Sequence, residues 1–416
     1  MAVASSPVRP PAHRRDIFLL FTTRSLRLVA YGGLAVVLAL YLAEVGLPEA
    51  QIGLLLSLTL AGDLAVSLWL TTRADRFGRR RTLVLGALLM MGAGLLFALT
   101  HQFWLLVVAA VVGVISPSGT EIGPFLSIEQ AGLAQVVADE KRTKWFAWYA
   151  LAGSLATASG ALLGGSVVAM LQATGWAPLA TYRAVLLAYA LMGVALGGLF
   201  LLLSPAVEPP RRAAAPSGEK RTLQSRSIIL SLSMLFALDA FGGAFIVQSM
   251  MAYWLHLRFN ANPAELGAIF FGANVLAGLS ALSAAWLAGK IGLINTMVFT
   301  HLPSNVLLML VPFMPTLEWA VGVLLLRFAI SQMDVPTRQS YTMAVVPADE
   351  RSAASGITNT ARSLGAMASP VLGGLLMGVP ALMAAPFLLS GAIKIVYDLL
   401  LFRRFRAVKP PEEMRG

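Results

Sequence analysis

Between residues 16 and 402 the chain alternates long apolar stretches with short polar ones. The apolar segments fall at about 16–43, 51–72, 82–100, 103–135, 145–172, 181–204, 228–256, 265–288, 293–313, 317–345, 353–378 and 382–402. A helix of roughly 20 apolar residues spans a bilayer, so the pattern predicts twelve transmembrane helices. Runs such as Leu83–Thr100 lack the period-two alternation of a β-barrel strand. Only 12% of the 416 residues are charged, against roughly 25% in a soluble domain. The expected class is an all-α membrane protein whose surroundings are the lipid bilayer.

The basic residues are distributed unevenly. One side of the predicted membrane holds Arg14 and Arg15, the run Arg79-Arg80-Arg81, Lys141, Arg142, Arg211, Arg212, Arg403 and Arg404; the other holds almost none besides Arg183 and Arg258. The net charge of +11 therefore sits mostly in one set of loops, which is orientation in the membrane rather than nucleic-acid binding. Both termini are expected to be cytoplasmic, in a multi-pass protein of the cell (inner) membrane. No small-residue cleavage site follows the first basic stretch, so residues 1–15 are expected to be a retained tail.

Residues 205–227 form the longest polar stretch, rich in Pro, Ala and Ser, and suit a flexible cytoplasmic linker. The expected bodies are then a six-helix bundle over 16–204, a second over 228–402, and a C-terminal tail over 403–416. The halves repeat. The thirty residues from Val136 align without a gap on the thirty from Val345 and share nine identities, among them Gly164-Gly165 with Gly373-Gly374. In the same register Glu129 lies opposite Arg338, and near the start of each half Ala30-Tyr31-Gly32-Gly33 lies opposite Ala240-Phe241-Gly242-Gly243. Parallel repeats of this kind build transporters, with the substrate site between the halves near mid-membrane.

The loop after the second span reads Ala74-Asp75-Arg76-Phe77-Gly78-Arg79-Arg80-Arg81-Thr82-Leu83. It resembles the signature loop of the major facilitator superfamily, G-x-L-A-D-R-x-G-R-K/R-x-x-L, with Thr71 in place of the first glycine and Arg73 in place of the leucine. With the twelve spans, the linker and the repeat, the resemblance covers essentially the whole chain. It implies a fold of two pseudo-symmetric six-helix bundles and marks Asp75, Arg76, Gly78, Arg79 and Arg80 as a conformational motif. If that loop links the two halves, its pairing favours the outward-facing state and breaks when the cytoplasmic side opens. Family exporters tend to carry G-P-x-x-G-G in span 5. Here Gly160-Ala161-Leu162-Leu163-Gly164-Gly165 lacks the proline, and Ser369-Pro370-Val371-Leu372-Gly373-Gly374 in span 11 lacks the first glycine. This tilts the reading only slightly towards efflux, the bland alternative being small-residue helix packing.

Charges within the spans are the sharpest functional signal. Each costs roughly 2.5–3.5 kcal/mol at the centre of a bilayer, yet five acids and five arginines occur there: Arg24, Arg27, Asp63, Glu121, Glu129, Asp239, Arg327, Asp334, Arg338 and Arg362. Most lie on spans 1, 4, 7 and 10, the helices that line the cavity in the resembled family. Tyr31 and Phe241 are further candidates for substrate contact. Span 4 holds Pro117, Gly119, Gly123 and Pro124 around Glu121, a sequence expected to loosen the helix and free carbonyls. Glu121 and Asp239, ahead of Asp63, Glu129 and Asp334, are the expected proton-coupling acids. Glu129 and Arg338 are expected to face each other as a cytoplasmic gate, against the alternative that each pairs within its own half. The family's span 4 antiporter signature is absent. His301, inside span 9, is expected to be a hydrogen-bonded structural histidine. Trp104, Trp145, Trp148 and Trp254 suit an interfacial belt.

There is no cysteine, which removes thiolate chemistry and disulfides. No phosphate-binding loop is present, no catalytic spacing of Ser, His and acids is recognisable, and no cofactor or metal is expected. The expected function is secondary active transport by alternating access: a monomer, coupled to H⁺, exporting a small organic solute or drug. Uptake of a metabolite and a transporter-like receptor are the alternatives. Cavity arginines suit an anion and cavity acids a cation, so charge alone leaves the substrate open.

Overall fold

The computed structural model describes residues 14–121, 123–137, 142–208, 225–347 and 350–408, apart from the side chains of Asp75, Thr143, Lys144 and Ser352. Among the described residues the regular secondary structure is all helix, with no strand. Every backbone polar group in a bilayer must be satisfied locally, and helices do this within one segment.

Eight of the twelve passes are continuous helices: α1 (Arg14–Glu44), α2 (Glu49–Phe77), α3 (Arg79–Leu99), α6 (Arg142–Ala173), α7 (Pro178–Leu201), α10 (Pro263–Ile291), α11 (Leu293–Leu310) and α16 (Ala385–Phe405). The other four are each built from two pieces. They are span 4, α4 (Phe103–Val112) with α5 (Phe125–Val136); span 7, α8 (Arg226–Ala244) with α9 (Gln248–Phe259); span 10, α12 (Leu317–Ser331) with α13 (Asp334–Ala344); and span 11, α14 (Arg351–Met367) with α15 (Ser369–Met377). Ten passes are long and apolar enough to be recognised as spans by composition alone. The other two are the broken span 4 and span 11, whose α14 carries Ser355, Asn359, Arg362 and Ser363 towards a cavity.

The halves share turn chemistry. Gly78 separates α2 from α3 as a single residue at φ +95°, and Gly292 separates α10 from α11 at φ +86°. Both occupy a backbone region that side-chain-bearing residues avoid. The expected linker is described only at its ends: Pro205–Val207 forms a short 3-10 turn, and α8 begins at Arg226. Residues 209–224, like 1–13 and 409–416, lie outside the described residues, and the helices α1 and α16 run two and three residues into the expected tails.

Within the first half α1 packs on α6 and α7, and α3 on α7. Within the second α8 packs on α14, and α16 on α11. The halves meet mainly along α6 with α10 and α2 with α15. Glycines set this approach. A methyl built on Gly165 would lie 2.8 Å from Gly267 Cα, and one built on Gly53 would lie 3.0 Å from Gly374 Cα. The Val371 amide donates to Ser57 Oγ at 2.9 Å, and Tyr253 Oη donates to Glu49 Oε1 at 3.0 Å. These contacts all lie towards the end of the bundle away from the Arg79–Arg81 turn. Trp104 and Trp148 are exposed, as an interfacial belt requires. Trp254 is buried, with its ring 4.6 Å from that of Phe387, so it is a packing residue and not a belt residue.

Candidate transport site

Span 4 does more than loosen. Its helix stops at Gly113, and a dozen residues pass before α5 begins. Gly119 (φ +69°) and Gly123 (φ +77°) turn the chain where other residues would be strained. The exposed backbone groups find partners: Thr120 O accepts from Ser116 Oγ at 2.8 Å, Gly119 O from Thr157 Oγ1 at 3.3 Å, and Pro117 O from the Ser249 amide at 3.0 Å. Asp63 on α2 accepts from the Gly123 amide and, at 3.1 Å, from Ser67 Oγ. Asp63 thus pins the break from within its own half while bordering a large cavity.

The break delivers Glu121 to α1. Arg27 lies four residues after Thr23 and three after Arg24 on α1, so each of them neighbours it on the helix surface. Arg27, fully buried, grips Glu129 of α5 with two parallel bonds, Nη1 to Oε1 and Nη2 to Oε2, each 2.7 Å. The same guanidinium reaches Glu121 from Nε at 3.3 Å and from Nη2 at 3.1 Å. Glu129 also accepts from Thr23 Oγ1 at 3.1 Å and Tyr149 Oη at 2.6 Å. Paired bonds between guanidinium and carboxylate are the strongest available arrangement in a dry interior. Arg24 is the loose member: its Nη1 lies 3.4 Å from Glu121 Oε1, and its guanidinium lies 4.4 Å from the Tyr149 ring centroid.

The second half centres on an acid. Asp239 of α8 meets Lys394 Nζ at 2.7 Å, Arg362 Nη1 at 2.9 Å and Arg338 Nη1 at 3.2 Å. Arg338 is shared with Asp334, one turn away on α13, at 2.8 Å. His301 Nδ1 lies 2.8 Å from Asp398 Oδ1, and its Nε2 lies 3.8 Å from Asp239 Oδ1. Asn305 donates to Asp398 Oδ2 at 3.0 Å.

The expected Glu129–Arg338 gate does not form in this conformation. Glu129 is enclosed by Arg27, Thr23 and Tyr149, and Arg338 by Asp334 and Asp239, so each charge pairs inside its own half. The costly unpaired state that motivated a cross-half pair is relieved locally. Tyr31 also lies away from the cavities: it is fully buried and stacked on Tyr189, with centroids 6.2 Å apart. Tyr149, Lys394 and Asp398 were not singled out from the sequence. Lys394 and Asp398 could have been, as opposite charges four residues apart inside an apolar span.

The signature loop is tied to the end of the first half and the first residues of the linker. Both oxygens of Glu208 accept from the start of α3, from the Arg79 amide at 2.7 Å and the Arg80 amide at 3.0 Å. A carboxylate there complements the helix dipole. Arg79 Nη1 donates to Val207 O at 3.1 Å and Arg80 Nη1 to Leu203 O at 3.4 Å. Arg76 is exposed, and the Asp75 side chain lies outside the described residues.

Two cavities lie between the halves. The larger, about 1320 Å³, is bordered by α2, α5, α13 and α14 and reaches the end that carries the Arg79–Arg81 turn. The smaller, about 440 Å³, lies deeper, between α1, α6, α10, α12 and the breaks of spans 4 and 7. Glu121 borders both. Beyond the smaller cavity lie the glycine contacts.

Twelve helical passes in two like halves, with cavities between them bordered by side chains of both, are the architecture of a membrane transporter. The family model of the Major Facilitator Superfamily matches residues 20–370 and, in a second match, 258–415. The chain belongs to this superfamily. It is 32% identical to the uncharacterized membrane protein YJR124C of Saccharomyces cerevisiae, over 95% of each chain. It is 22% identical to the quinolone resistance protein NorA of Staphylococcus aureus, over 92% of this chain and 96% of that one. Among solved structures it resembles a bacterial homologue of the human lysosomal transporter Spinster in an inward-facing, occupied conformation. There the TM-score is 0.74 at 15% identity, covering 96% of this chain and 98% of the other.

Proposed function

We propose that this chain is a secondary active transporter that exports a small organic solute against H⁺ by alternating access, with the Arg79–Arg81 end in the cytoplasm. One observation carries the proposal: a polar cavity bordered by ionised groups of both halves lies open at the basic end and closed by glycine contacts at the other. The positive-inside distribution supports the orientation, making this the inward-open state. Likeness to a quinolone resistance protein favours export.

Glu121 is the proposed coupling acid. It borders both cavities, it sits where span 4 has no helix, and two arginines compete for it. Neutralising it would release Arg24 and loosen the tie between the span 4 break and α1. Asp239 fits a coupling role less well, because three cations hold it behind the cavity wall. The test is flux in proteoliposomes under an imposed pH gradient. Wild type is expected to concentrate solute only while the gradient lasts, and Glu121→Gln to retain exchange but lose accumulation. Undiminished accumulation by Glu121→Gln would remove Glu121 from coupling, and accumulation indifferent to the gradient would remove H⁺.

A further inference from the structure

We propose that the smaller cavity binds an organic anion, a carboxylate or comparable monoanion on an apolar body, held between Arg24 of the first half and Arg327 of the second. This rests on the transporter reading and adds the chemical class of its substrate.

The walls offer donors in excess. Arg24 is nine-tenths buried; its Nη1 makes only the long ion-pair contact with Glu121 Oε1, at 3.4 Å, and its Nε has no hydrogen-bond partner among the described residues. Its neighbour Glu121 is already engaged through both oxygens by Arg27. Arg327 Nε is likewise buried without a partner, its guanidinium 5.0 Å from the Phe328 ring centroid. Gln248 Nε2 is a third such donor, while its Oε1 accepts from Asn274 Nδ2 at 3.3 Å. Leaving charged donors buried and unmet is costly, and what would satisfy them is an acceptor bearing negative charge. Gly153 supplies the room. A methyl built there would lie 2.5 Å from Arg24 Nε and 2.9 Å from its Nη2, so the guanidinium occupies space that any side chain would take.

The field favours the same sign. Among the described residues bordering the two cavities, Arg24, Arg327, Arg338, Arg351 and Arg362 stand against two carboxylates, Asp63 and Glu121. The acids that balance Arg338 and Arg362, Asp239 and Asp334, are buried and border neither cavity. At Arg338 and Arg362 the cation therefore borders the cavity with its counter-charge behind it, whereas Glu121 borders both cavities beside Arg24. A low-dielectric cleft whose bordering charges are mostly of one sign concentrates the opposite ion. Apolar side chains complete the smaller cavity, Leu28, Val247, Met251 and Phe270 among them. Its volume of about 440 Å³ suits a small drug-sized molecule.

Binding is read on the purified full chain by thermal shift and calorimetry. The probes are three carboxylates (benzoate, 4-phenylbutyrate and 2-naphthoate), their amides and the corresponding amines. At least one carboxylate is expected to bind about tenfold or more tightly than its amide and amine, since a bond to a charged partner is the stronger one. Arg24→Gln and Arg327→Gln should each weaken that carboxylate about tenfold. Arg327→Gln is informative even if Arg24→Gln fails to fold, because Arg327 stands outside the Arg27 cluster. Gly153→Ala, which leaves every charge in place, should also weaken it by crowding the Arg24 guanidinium. Amides or amines binding as well as the carboxylates, no carboxylate binding at all, or wild-type affinity in Arg327→Gln and Gly153→Ala would each overturn the proposal. Gradient-driven flux of an amine in the same preparation would do so while leaving the transporter reading intact.

Discussion

The two halves solve one electrostatic problem with opposite signs. In the first, a cation on span 1, Arg27, holds acids of span 4, Glu121 and Glu129. In the second, an acid on span 7, Asp239, is held by cations of spans 10, 11 and 12, Arg338, Arg362 and Lys394. Glu129 and Arg338 occupy matched positions of the repeat, whereas Arg27 lies opposite Ala237, two residues before Asp239, so the inter-span tie has exchanged its polarity with one partner in register and the other shifted. Matched charges of opposite sign need not face each other; each can instead be neutralised by its own half. Each bundle then neutralises its buried charges within itself, and the bonds that join the halves, Ser249 to Pro117 and Tyr253 to Glu49 among them, lie outside the two charge clusters.

The largest effects should come from the centres. Arg27→Ala would strand Glu129 where no water reaches, and Asp239→Ala would strand three cations. Breaking a buried pair on one side costs about 3–5 kcal/mol. Thermal unfolding of the purified variants is expected to show losses of that order in both halves. A loss confined to one half would mean that the two clusters are not equivalent.

A charge exchange comes next. Glu129→Arg and Arg338→Glu should each damage folding and flux, and the double variant should be no better than the sum, because each new charge meets its own half's old partners. Rescue of flux by the double variant would show that the two groups meet in another state of the cycle.

At the glycine seal, Gly165→Ala and Gly374→Ala place methyls against the facing backbones of Gly267 and Gly53. Overpacking of this kind costs about 1–3 kcal/mol. Here the cost falls on closing one end, so labelling of that end should increase while flux falls. Unchanged labelling would show that the helices slide apart freely. The smallest effect is expected for Glu208→Gln, about 1 kcal/mol, from weakening a charged cap on α3, read as a small drop in thermal stability.

Much of this fold was legible in the sequence because apolar length and the distribution of arginine act through the bilayer, one segment at a time. The Gly164-Gly165 and Gly373-Gly374 repeat likewise marked close helix approach, although only packing could show that Gly165 and Gly374 face the other half while Gly164 abuts Gly33 of α1. The charged residues were legible as a set but not as pairs. Arg27 is separated from Glu121 by 94 residues of chain and from Glu129 by 102, and two acids compete for one guanidinium. The Pro and Gly content of span 4 indicated disturbance, yet whether a helix bends or stops depends on partners such as Asp63 and Thr157, which lie on other helices. Tyr31 shows the converse error: a polar tip on a cavity-type helix suggested substrate contact, whereas its ring is spent on Tyr189.

Alternating access is tested most directly by distances across the two ends. The chain lacks cysteine, so spin labels can be placed by single substitutions at exposed sites: Arg73→Cys with Arg351→Cys near the basic end, and Glu44→Cys with Val379→Cys at the other. In lipid, the resting protein should give a broad, long distance at the basic end and a short one at the glycine-sealed end. Imposing the pH gradient with transported solute should shorten the first and lengthen the second together. Two distances that stay fixed through turnover, or that lengthen at both ends at once, would contradict transport by the rocking of the two halves.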